Sequence, residues 1–128
     1  MKPAARVQSA IELLDEIIVA TRDKGSSADR VAAAFFAARR YAGSKDRRAI
    51  RDLAWRAIRE FGARPENGRA AMVALAGYDP DLAALFDGSA YGPKAIDPSE
   101  PKASGDIVPE WVKPLFSELV TADEFPAL

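Results

Sequence analysis

Residues 39–60 read RRYAGSKDRRAIRDLAWRAIRE. They hold a turn signal followed by a helix signal. The "AGS" at 42–44 is a breaker, and Ser44 is placed to cap a helix that follows it. At about 100° per residue, Ile50, Leu53, Ala54, Ala57, Ile58 and Phe61 share one side, which makes a core stripe. Arg47, Arg48, Arg51 and Arg59 fall within about 120° of one another on the other side. Arg56 sits at the edge of that group, and Trp55 projects into its middle. The period is helical, and it predicts an amphipathic helix from Ser44 to about Phe61–Gly62.

The chain on either side repeats the pattern. Val7, Ala10, Ile11, Leu14, Ile17, Ile18 and Thr21 predict a first helix over 4–21 with one buried stripe. Gly25 stops it, and Ser26 or Ser27 can cap a second helix, 28–40, that buries Val31, Ala32, Phe35 and Phe36. Pro65 suits the first turn of a fourth helix running to Ala76. Asp79 followed by Pro80 starts a short fifth, closed by Gly88. Composition then shifts: 88–106 holds three prolines, three glycines and three serines, a long loop expected to be looser than the helices, pinned at most by Tyr91 and Ile96. A last helical segment is expected from Pro109, carrying Trp111, Val112, Leu115, Phe116 and Leu119, with Pro114 kinking or restarting it. No segment has a strand period and no repeat is present. The expected class is all-α, divided as a helical core 1–87, a loop 88–106 and a C-terminal helical segment 107–128.

Composition narrows the function. A chain of 128 residues with 48% apolar residues can bury one core. Its longest apolar runs, such as AAAFFAA at 32–38, are too short to cross a bilayer. The first residues, MKPAARVQSAIELLDE, acquire acids where a signal peptide would stay apolar, so a cytoplasmic protein without a membrane partner is expected. There is no Cys and no His, which removes thiolate nucleophiles, His-assisted bases and the usual zinc ligands. The eight glycines are never closer than four positions apart, so no GxGxxG or Walker loop can be written. No catalytic residue, metal, cofactor or small-molecule substrate is expected in this chain.

Charge is segregated. Residues 39–69 carry ten basic and four acidic groups, whereas 70–128 carry three basic and ten acidic. Eight of the 18 basic residues lie within 39–60: Arg39, Arg40, Lys45, Arg47, Arg48, Arg51, Arg56 and Arg59. Such a face is either solvated surface, with arginine stems covering apolar groups, or a docking site for a polyanion. Arginine outnumbers lysine seven to one here, and its planar fork suits phosphate and base edges. An aromatic ring among cations suits RNA, whose bases can stack on it. The eight cations and Trp55 are therefore the candidate RNA-binding residues; the plain alternative for Trp55 is packing against a neighbouring helix.

The same residues carry a family resemblance. RRYAGSKDRRAIRDLAWRAIRE, after an amphipathic first helix, resembles the N-terminal NusB-like domain of bacterial rRNA cytosine-C5 methyltransferases of the RsmB/Sun family. The likeness continues through LFDGSAYGPKAI at 85–96 and VPEWVKPLF at 108–116, which is similar to the P-x-W segment before that family's linker. The resemblance implies a NusB-like helical bundle that docks on RNA, with small-subunit rRNA as partner. It also implies a separate catalytic domain that binds S-adenosylmethionine and attacks cytosine with a cysteine. None of that domain's residues is in this chain, so the chain is expected to be the piece preceding it. A free-standing NusB-like antitermination factor, or a helical protein-interaction module with no RNA role, remain the alternatives.

Overall fold

Five α-helices make up the regular structure of the described residues, 1–60 and 65–103 of this computed structural model, and there is no strand among them. The all-α expectation holds for these residues. Helix α1 (Pro3–Lys24) starts on a proline, whose fixed φ suits a first turn, and ends at Gly25 with φ +63°. It is the central element: α2 (Ala28–Ala37), α3 (Ser44–Glu60) and α4 (Gly68–Ala76) all pack against it. Three neighbours need a broad apolar face. Leu13 is accordingly fully buried beside Val7, Ala10, Ile11, Leu14, Ile17 and Ile18, although it lies outside the single stripe read from the sequence.

The helix starts follow local chemistry. Ser27 Oγ accepts from the Arg30 amide, Asn67 Oδ1 from the Ala70 amide at 2.8 Å, and Asp79 from the amides of Asp81 and Leu82. Two starts differ from expectation. Ser44 is already helical, and the Gly43 carbonyl takes the Arg47 amide at 2.9 Å, so Gly43 stands in the capping position. Pro65 precedes α4 as a buried residue instead of opening it, because Asn67 supplies the cap two residues later. Helix α2 also stops at Ala37 instead of continuing to 40. The Arg39 amide turns back to Phe36 O, and Ala42 tucks into the core at 4% exposure. Helix α5 (Pro80–Ala83) is a single turn that leads through further turns to Gly88.

Helix α4 is buried at every position except Arg69. Its small side chains allow close approach, closest at Gly68. A Cβ there would sit 2.2 Å from the Ile11 carbonyl oxygen and 2.9 Å from Leu14 Cβ, so only glycine fits the α1–α4 seam. Asp15 closes the seam by accepting from the Gly68 amide at 2.7 Å.

The stretch expected to be a loose loop is tied down as far as it is described. Arg69 donates to the carbonyls of Lys94 and Ala95 and pairs with Glu100 at 2.7 Å. The Ala103 amide reaches Ala70 O, Gly88 N–H reaches Pro93 O, and Pro93 is among the most buried residues. Ile96 packs on the core as anticipated, while Tyr91 points outward at 82% exposure and anchors nothing. The expected end of α3 at Phe61–Gly62, the remainder of the 88–106 loop after residue 103 and the helical segment from Pro109 lie outside the described residues.

Candidate nucleic-acid interface

The eight cations of 39–60 divide into two sets once their partners are known. Arg39 lies over the Phe35 ring, 3.5 Å from its centroid, donates to Phe35 O and faces Glu12 and Glu16 of α1 at 3.7 and 3.6 Å. Arg47 donates to Ala42 O at 2.9 Å and so holds the α2–α3 turn shut. Arg51 pairs with Asp29 at the start of α2 and covers the Trp55 ring at 4.3 Å. Arg56 pairs with Asp79 at 2.9 Å, tying α3 to the start of α5. These four arginines are staples between elements. Each exposed pair is worth well under about 1 kcal/mol, and the cation–ring contacts add about as much again.

The carboxylates that receive such cations titrate low. The Asp79 carboxyl is held below its usual range, first by the Leu82 amide and then by Arg56. That of Asp46 is lowered by its hydrogen bond with Arg6 at 2.8 Å, aided by the N-terminal ammonium at 3.8 Å, against a partial opposition from burial.

Arg40, Lys45, Arg48 and Arg59 form the second set. All four are exposed and have no ionic or hydrogen-bonded partner among the described residues. Arg40 is in the α2–α3 turn; Lys45, Arg48 and Arg59 are on α3. Arg48 and Arg59 are separated by three turns of helix, about 16 Å along the axis, and project on nearly the same side. One acid, Asp52, is exposed between them. The arrangement offers spaced positive charge suited to phosphates.

Trp55 is not the exposed ring that the helical projection suggests. It is 9% exposed, joins the main core cluster, and has the Arg51 guanidinium over its ring. Helix α3 packs against both α1 and α4, so its buried arc is wider than one stripe and takes in the indole. The plain packing alternative describes where Trp55 sits. Among the described residues the exposed aromatics are elsewhere: Tyr41 and Tyr78, to which the sequence reading gave no binding role, and Tyr91, which it expected only to pin the loop. Tyr41 adjoins the basic turn, and that adjacency was the one signal available.

No three His, Cys, Asp or Glu side chains group as a metal site among the described residues. No helix among them is long and apolar enough to cross a membrane. S-adenosylmethionine, which the resemblance assigns to a separate catalytic domain, finds no glycine-rich loop in this sequence. Comparison with protein-family models, curated proteins and solved structures finds no match to this chain.

Proposed function

We propose that this chain is an RNA-docking domain that binds through Arg40, Lys45, Arg48 and Arg59 and has no catalytic role of its own. On the resemblance of 39–60 to the NusB-like domain of rRNA cytosine-C5 methyltransferases, its partner is small-subunit rRNA, and it serves to deliver a catalytic domain carried elsewhere in the parent protein. The observation that carries the reading is the division of the basic stretch. Three cations are paired with carboxylates and Arg47 is held on a backbone carbonyl within the fold, while four are left exposed on one helix and the turn before it. A surface needed only for solubility has no requirement for unpaired arginines spaced along a single helix face.

The test is a salt titration of binding to single-stranded RNA. If the four free cations make the phosphate contacts, the log–log slope is about −3. All eight would give about −6. A fourfold rise in salt then weakens binding about 50-fold. Arg48→Gln with Arg59→Gln flattens the slope by about 1.4, and helicity survives because glutamine is a good helix former. If the parent chain binds RNA no better at low salt than at high salt, or the double variant matches it throughout, the docking reading is wrong.

A further inference from the structure

All three tyrosines of the chain are exposed: Tyr41 at 75%, Tyr78 at 72% and Tyr91 at 82%. A tyrosine ring carries a large apolar area that a folded domain ordinarily covers to a substantial extent, so rings this bare invite a ligand. Two of them share a cleft. Tyr41, from the α2–α3 turn, and Tyr91, from the loop after α5, line an open cleft of about 560 Å³ together with Gln8, Ser9 and Glu12 of α1. A second cleft of about 650 Å³ shares Gln8, Glu12 and Tyr91 and extends to Asn67 and Lys94. The two meet at Tyr91.

Both rings stand on tethered backbone. Arg47 holds the Ala42 carbonyl, and Ala42 itself is buried, which fixes the turn that carries Tyr41. On the other side, Gly88 N–H bonds Pro93 O and Gly92 N–H bonds Ser89 O. A Cβ on Gly92 would come within 2.9 Å of Ala4 Cβ, so glycine lets this loop lie close against α1. Much of the ordering cost of presenting the two rings is therefore met before any ligand arrives.

The lining chemistry suits a heterocycle with a polar edge. The rings supply stacking faces; the Ser9 hydroxyl can donate and accept, Gln8 donates one amide N–H to Glu12 at 3.3 Å and keeps its other N–H and its carbonyl oxygen, and the Glu12 carboxylate, which also faces Arg39, has lone pairs left for an amino group. Cations for the phosphates lie beside the rings. Lys2 lines the first cleft, Lys94 lines the second, and Arg40, exposed and without a partner among the described residues, is the residue before Tyr41. A proline-rich peptide could also use exposed tyrosines, but the turn bearing Tyr41 leads straight into the free-cation face, and a polyanion uses both.

Resting on the RNA-docking reading above, we propose that the cleft between Tyr41 and Tyr91 receives unpaired bases of single-stranded RNA, stacked on the two rings and hydrogen-bonded by Gln8, Ser9 and Glu12, while the strand's phosphates continue across Arg40.

The test uses the full chain and a labelled ten-nucleotide single-stranded RNA of mixed sequence, followed by fluorescence anisotropy. Tyr41→Ala and Tyr91→Ala should each weaken binding about 5- to 150-fold, the range for losing one stacked base. Tyr91→Phe should bind like the parent, because the ring face is kept. The salt slope should stay at its parental value in all three, since stacking releases no counterions. Unchanged melting temperatures would exclude unfolding, as expected for rings so exposed. If the parent binds with the expected salt slope but the alanine variants bind equally well, the cleft inference falls and the docking reading stands. If the parent does not bind, both fall. If the variants leave RNA binding untouched but abolish binding of a proline-rich peptide, the cleft is a peptide groove and the inference is wrong.

Discussion

Replacing Gly68 by alanine tests the seam on which the whole arrangement is built. The added methyl would lie 2.2 Å from Ile11 O, 2.9 Å from Leu14 Cβ and 3.0 Å from the Asp15 amide nitrogen. A carbon and a carbonyl oxygen ordinarily keep about 3.3 Å, so α4 must retreat from α1 by about 1 Å. A gap of that size forfeits a quarter to a half of each affected dispersion contact, and Ala71, Met72 and Leu75 all belong to the core along this helix. The Asp15–Gly68 hydrogen bond, 2.7 Å and charge-assisted, lengthens as well. Overpacking of a close seam costs about 1–3 kcal/mol, and weakening that bond adds about 1 kcal/mol. Alanine's better helix propensity returns less than about 1 kcal/mol at a first-turn position. The expected net loss is about 2–3 kcal/mol, or a melting temperature about 8–12 °C lower for a chain of this size. Thermal melts followed by circular dichroism, with urea titrations to check that the m-value holds, measure it directly. A Gly68→Ala variant as stable as the parent would refute the close-approach argument, and with it the account of why α4 is an alanine helix.

Two further outcomes concern the basic stretch and its neighbours. Trp55→Ala should destabilise the fold by about 3 kcal/mol, the cost of emptying a large core site, without altering RNA affinity of the folded fraction; a stable variant with lost affinity would instead mean that the indole reaches RNA. Asp46→Asn should lower the melting temperature at neutral pH, because Asp46 joins Arg6 and the N-terminus to the start of α3. The sign follows from its lowered folded-state pKa: the carboxylate stabilises the fold above its unfolded value of about 4, and that contribution fades as pH falls below it. Melting curves of the two proteins should therefore converge on acidification from pH 7 to 3, and a gap that widens would contradict the assignment.

Local chemistry was legible without a fold. The helical period of 4–21 and of 44–60, a serine cap at Ser26 or Ser27 and the Asp79–Pro80 start each depend on residues within a turn of one another, and each appears close to where the sequence put it, the cap falling to Ser27. The concentration of arginine in 39–60 was equally plain. Which of those arginines is free could not be read, because their partners come from far along the chain: Asp29 for Arg51, Glu12 and Glu16 for Arg39, Asp79 for Arg56. The helical projection of α3 also assumed one buried side, whereas packing against both α1 and α4 draws Trp55 inward. Gly68 gave no local sign of its role, since the atoms that forbid a side chain there belong to α1. Periodicity and capping are set within a few residues, so the order of residues determined the helices. Burial, ion pairing and the placing of Tyr41 and Tyr91 on one cleft depend on which surfaces face each other, and only the packed chain decided those.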